Sequence, residues 1–153
     1  MAAPPASAAV PEHFSFAFGP EEDPAFATCD GFNIALSTAG RVSGTVLFDD
    51  AGEPYRFIVH TRLRDTLVNS VTGTTVVNRG VFTEIYTRVP GTDDFTSTLQ
   101  GFKFMGTRPG RGLVLQDVGH IVFSPNEEEI LFIAGQHHVP DDGDEALFCA
   151  ALA

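Results

Sequence analysis

Residues 55–69 read YRFIVHTRLRDTLVN. Tyr55, Phe57, Val59, Thr61 and Leu63 alternate with Arg56, Ile58, His60, Arg62 and Arg64. A period of two sends successive side chains to opposite faces of a strand. The first set is therefore read as an interior face and the second as a solvent face. Asp49-Asp50-Ala51-Gly52-Glu53-Pro54 precedes the stretch and Val71-Thr72-Gly73 follows it, both with the polar and glycine-rich character of turns.

The same rhythm runs outward from this strand. Further strands are predicted over 32–37, 41–48, 74–87, 95–106, 113–124 and 129–138, with a last strand or short helix over 146–152. Thr38-Ala39-Gly40, Pro90-Gly91-Thr92-Asp93-Asp94, Arg108-Pro109-Gly110-Arg111-Gly112 and Pro125-Asn126-Glu127-Glu128 read as the turns between them. Upstream, Phe14, Phe16 and Phe18 alternate in a short strand or lid. Gly19-Pro20 ends it. These phenylalanines are expected either to plug the end of a barrel or to pair with a second subunit.

Short connections make sequential strands antiparallel neighbours, and no helix of ten residues or more separates them, which excludes βαβ folds. The expected fold is all-β: a single antiparallel up-and-down β-barrel of about seven to eight strands. A closed barrel removes the exposed edges that an open sheet of long strands would leave. A β-sandwich is the alternative, although its strands are usually shorter. Gly80, Gly101, Gly119 and Gly135 lie inside predicted strands, where glycine marks barrel bends. Domain organisation follows: a disordered tail over 1–11 and one β-barrel domain over 12–153.

Composition agrees. Gly occurs 15 times, Pro 10 and Phe 14, whereas Lys occurs only at Lys103. Lys and Arg total 9 against 20 Asp and Glu, a formal net charge of -11. Such a chain is repelled by phosphate backbones and by anionic membrane surfaces, so neither is an expected partner. No run of about 18 apolar residues offers a membrane-spanning helix.

The two cysteines, Cys29 and Cys149, lack the spacing of a zinc or redox pair. The plainer reading is one disulfide joining the start of the domain to its end; the rival is two buried free thiols. A disulfide implies an oxidising compartment. The opening MAAPPASAAVP resembles what remains after a signal peptide is removed, so the protein is expected to be secreted.

In 113–124 the better interior set is Leu113, Leu115, Asp117, Gly119, Ile121 and Phe123. It contains Asp117. A carboxylate on an apolar face is costly unless paired or wet. Either the interior holds water and a ligand, or a bulge at Gly119 flips the alternation.

Several motifs in order carry a resemblance. Cys29-Asp30-Gly31-Phe32 opens the regular region, and Asn69 with Val71-Thr72-Gly73 forms an N-x-x-T-G turn. Gln116-Asp117-Val118-Gly119-His120-Ile121 follows, with Val118 in place of a proline. Gly135-Gln136-His137-His138 precedes an acidic loop, and Phe148-Cys149-Ala150-Ala151-Leu152 closes the chain. Over about 26–153 this series resembles a family of small secreted actinobacterial proteins of unassigned function. The resemblance implies export, a terminal disulfide and a β-barrel-like domain. It supplies no activity and no catalytic residues.

Candidate chemistry is sparse. Of His13, His60, His120, His137 and His138, the adjacent last two point to opposite faces, so no three-ligand metal site is expected. The acidic stretch 141–145 lacks EF-hand spacing and reads as a solvated turn. G-x-S-x-G, P-loop and H-E-x-x-H motifs are absent. Gly106–Gly112 (GTRPGRG) lacks the P-loop lysine and reads as a turn. Arg56, Arg62 and Arg64 with His60 form a basic stripe suited to an anion, but salt bridges to the many acidic residues are the simpler account.

The leading expectation is a lumen lined by Tyr55, Phe57, Val59, Phe102, Phe104, Ile121 and Phe123 that binds a small apolar or amphipathic ligand. No cofactor is implied. The enzyme alternative is a cyclase, isomerase or lyase using Asp117 and Glu84 with Tyr86. It resembles allene oxide cyclase and dirigent proteins by fold analogy alone. The third reading is a surface interaction module with a filled core and an exposed apolar patch.

Overall fold

A computed structural model describes residues 10–137 and 145–153. Residues 1–9 of the predicted tail over 1–11, His138 and the acidic loop up to Asp144 lie outside the described residues. Seven strands follow one another: β1 (Glu12–Cys29), β2 (Phe32–Phe48), β3 (Pro54–Asn69), β4 (Thr75–Arg88), β5 (Phe95–Arg108), β6 (Gly112–Phe123) and β7 (Ile130–His137). Each pairs antiparallel with the next, in the sheet order β1-β2-β3-β4-β5-β6-β7. The architecture is all-β and up-and-down. Among the described residues the ladder runs from β1 to β7 without closing on itself.

Two predicted breaks are absent. β1 continues through Gly19-Pro20, slipping register between Phe18 and Glu21 and again between Asp23 and Ala27. β2 runs straight through the predicted turn at 38–40. Gly40 makes room there instead of turning: a Cβ on it would sit 2.7 Å from the Phe18 ring, and one on Gly44 would sit 2.4 Å from the Phe14 ring. Phe14 and Phe18 thus lie across glycines of the neighbouring strand, which covers exposed backbone with aromatic surface. Phe16 is more than half exposed.

Residues directly opposite in an antiparallel ladder share a face. Following the register, the fully buried strand residues lie on one face of the sheet: Ile34 with Asn69, Leu67 with Val76, Leu99 with Ile121. We call it the inner face. The helix α1 (Glu145–Leu152) covers one end of it. Its Phe148, Ala151 and Leu152 pack on Ala27, Ile34, Leu67, Val76 and Leu115. Phe148 meets Phe26 and Phe104 edge to face.

An eight-residue helix is too short to hold itself together in water, and three ties hold α1 down. Cys29 and Cys149 form a disulfide with Cα atoms 5.6 Å apart. Asn69 Nδ2 donates to the Leu152 carbonyl at 3.1 Å. Arg108 donates to the carbonyls of Ala151 and Ala153, at the negative end of the helix dipole.

Candidate functional site

Past α1, the inner face first meets a polar belt. On β2 to β4, Thr38 Oγ1 donates to Asp65 Oδ1 at 2.6 Å and Asn78 Nδ2 donates to Asp65 Oδ2 at 2.7 Å. The Met105 amide donates to Asn78 Oδ1 at 2.7 Å. Both carboxylate oxygens of Asp65 are therefore satisfied, which is what allows the charge to sit inside. On β6 and β7, His137 Nδ1 lies 2.7 Å from Asp117 Oδ1, and His137 Nε2 lies 3.0 Å from the Ala134 carbonyl. Both partners are acceptors, and which ring nitrogen donates depends on the tautomer. The two side chains are 7% and 3% exposed.

Asp117 is thus on the inner face, as its alternation predicts. Gly119 does not flip it: β6 and β7 stay in register from Asp117↔His137 through Gly119↔Gly135 to Ile121↔Ile133. A histidine pairs the carboxylate, a third outcome beside the two considered from sequence. Gly101, Gly119 and Gly135 lie side by side on β5, β6 and β7. A Cβ on Gly119 would reach 2.1 Å from the Ala134 carbonyl and 2.7 Å from His137 Nε2, so this glycine admits the ring.

Beyond the belt the inner face is apolar again, and among the described residues no helix covers it. Val42, Val46, Phe57, Val59 and Phe82 are only half-buried there. Leu99, Ile121 and Phe123 form a small buried cluster against Phe82, and Phe57 meets Phe95 edge to face. Two polar features interrupt this half. Tyr86 donates to Glu84 Oε1 at 3.3 Å. Burial first, then the charges of Glu84 and Glu127, push the Tyr86 phenol up to about 12, so it remains a neutral donor. Directly opposite Tyr86, the Ser97 hydroxyl is buried with no hydrogen-bond partner.

The candidate lining residues divide accordingly. Phe57, Val59, Ile121 and Phe123 share this half, with Tyr55 exposed at its rim. Phe104 is on the inner face but belongs to the α1 end, under Phe148. Phe102 is a correction: it pairs with Val81 and Val118 on the outer face. A register shift between Phe102 and Phe104 switches the alternation, and simple parity misses it.

The three candidate catalytic residues do not converge. Glu84 shares a row with Leu99 and Ile121, whereas Asp117 lies four residues further along β6, roughly 13 Å away along the strand. Asp117 is occupied by His137. Among the described residues, no three His, Cys, Asp or Glu side chains gather as a metal site needs.

No family model, curated protein or solved structure matches this chain. The functional reading therefore rests on its own residues. Asp65, Asn78 and Ser97 were not singled out in the sequence. The signal for Asp65 was present: the alternation of 55–63 carried two residues further puts it on the inner face.

Proposed function

We propose that the protein is a secreted binder of a small apolar or amphipathic ligand, held on the half of the inner face that α1 leaves uncovered. One observation carries the reading: Val42, Val46, Phe57, Val59 and Phe82 continue the face that is fully packed under α1, yet remain half-buried. Apolar surface with a few placed polar groups is the usual make-up of a small-molecule site. The ligand's apolar body lies against these side chains, and its polar end reaches the Tyr86–Glu84 pair. The disulfide fits an oxidising compartment, and among the described residues no helix is long and apolar enough to cross a membrane.

The cyclase, isomerase or lyase reading has less support, because Asp117 is engaged by His137 and stands apart from Glu84. The interaction-module reading draws on one observation. Ile130, Leu131, Phe132 and Ile133, consecutive on edge strand β7, are all exposed, and such an edge is a ready pairing surface.

Titration with the neutral apolar fluorophore Nile red tests the proposal. Saturable one-to-one binding is expected, lost in Val59→Trp, which fills the uncovered half, and kept in Phe102→Ala on the outer face. Binding that survives Val59→Trp but is lost in Phe132→Ser overturns the proposal in favour of the β7 edge.

A further inference from the structure

The outer face carries a second feature that ligand binding on the inner face does not use. Arg41 stands directly opposite Arg62 across β2 and β3, and Arg64 stands directly opposite Arg79 across β3 and β4. All four are exposed. Four of the chain's nine cationic side chains are thus gathered in two adjoining like-charge pairs. Opposed residues in a ladder have Cβ atoms about 5 Å apart, and like charges at that spacing destabilise the sheet. The chain has 20 acidic residues with which to relieve this repulsion. It does not use them: among the described residues none of the four arginines has an ion pair or a side-chain hydrogen bond. Among the described residues the salt bridges expected for Arg56, Arg62 and Arg64 are absent.

The surroundings keep the cluster basic. Outer-face neighbours in register are Ser15 and Ala17 on β1 and Thr83 on β4, with Phe102 beyond Val81 on β5. None is acidic. The nearest carboxylate along β1 on this face, Glu22, already accepts from Ser37 Oγ at 2.6 Å. Two hollows lie between the arginines. One of about 460 Å³ is lined by Arg41, Ser43, His60 and Arg62. The other, of about 430 Å³, has Arg41, Arg62, Arg64 and Arg79 standing around Gly40 and Gly80. His60 joins Thr83 Oγ1 through Nδ1 at 2.9 Å, which leaves Nε2 without a partner.

We propose that this cluster is a binding site for a compact oligoanion carrying at least two phosphate or sulfate groups. Guanidinium forks match the oxygens of both groups and bind them bidentately. Each arginine pair takes one anionic group. The pairs adjoin through Arg62 and Arg64, two residues apart on β3 and about 7 Å along the strand, so one ligand bridges both. Bound anion removes the repulsion within each pair.

Isothermal titration of the full chain at low ionic strength with sodium tripolyphosphate, and separately with a disulfated disaccharide, tests the proposal. One-to-one binding of at least one of them is expected, with Kd on the order of 100 µM or tighter; the tighter arm identifies a phosphate or a sulfate source. Arg62→Gln/Arg64→Gln is expected to weaken that binding about tenfold or more while its Tm equals or exceeds that of the parent. Affinity falls as salt is added, and Val59→Trp on the opposite face leaves it unchanged. Failure of both anions to bind at millimolar concentration overturns the proposal. So does equal binding by the double variant, or a Tm below that of the parent, which would make the arginines structural.

Discussion

Replacing His137 with alanine strands the Asp117 carboxylate. In the folded chain that side chain is 3% exposed, and His137 Nδ1 contacts it at 2.7 Å. Removing one member of a buried pair costs about 3–5 kcal/mol, because the remaining charge has neither partner nor water. For 153 residues, an unfolding entropy of about 2.1 cal/mol/K per residue converts this to a Tm roughly 10–15 °C lower. Asp117→Leu/His137→Leu removes both polar side chains and keeps apolar volume, so it is expected to recover most of the loss. Urea unfolding followed by circular dichroism measures both variants. A His137→Ala loss under about 1 kcal/mol refutes the reasoning: it would mean that Asp117 is hydrated and that the belt is wet.

Cys29→Ser/Cys149→Ser opens a loop spanning 120 residues. The chain-entropy model assigns about 5 kcal/mol to that closure, so a Tm drop on the order of 15 °C is expected by calorimetry, with α1 released first. Gly135→Ala places a Cβ 2.2 Å from the Val118 carbonyl at a φ of 119°. Chemical denaturation should show a loss of more than about 2 kcal/mol, whereas Gly52→Ala, in open space, loses about 1 kcal/mol from its backbone conformation alone. Tyr86 ionises near 12 when folded and near 10.0 otherwise. Between those values the unfolded chain has released a proton that the folded chain still holds. Stability from this group is therefore full below pH 10 and falls as pH rises towards 12. Urea midpoints at pH 9 and pH 11.5 should differ less in Tyr86→Phe than in the parent.

Strands β3 to β6 were readable from the chain to within two residues at each end, because long runs of their residues alternate and Gly, Pro and Asp mark their turns. The errors came where a residue serves a neighbouring strand. Gly40 reads locally as a turn, but its reason is the Phe18 ring across the ladder. Phe102 reads as inward until the shift before Phe104 is known, and that shift depends on pairing with β6. Of the candidate site, the inner apolar row of β3 and the inward Asp117 followed from parity. The partner of Asp117 did not, since His137 reaches it only through the β6–β7 register. The arginines of β3 were visible as a stripe. Their lack of acidic partners depends on what β1, β2 and β4 place beside them.

Methyl NMR of Val- and Leu-labelled protein during titration with a medium-chain fatty alcohol tests ligand binding most directly. Saturable shifts are predicted for Val42, Val46 and Val59, with Val81, Val118 and Val122 on the outer face unmoved. Shifts confined to the outer face or to Leu131 on the β7 edge, or no saturable shift at all, would contradict it.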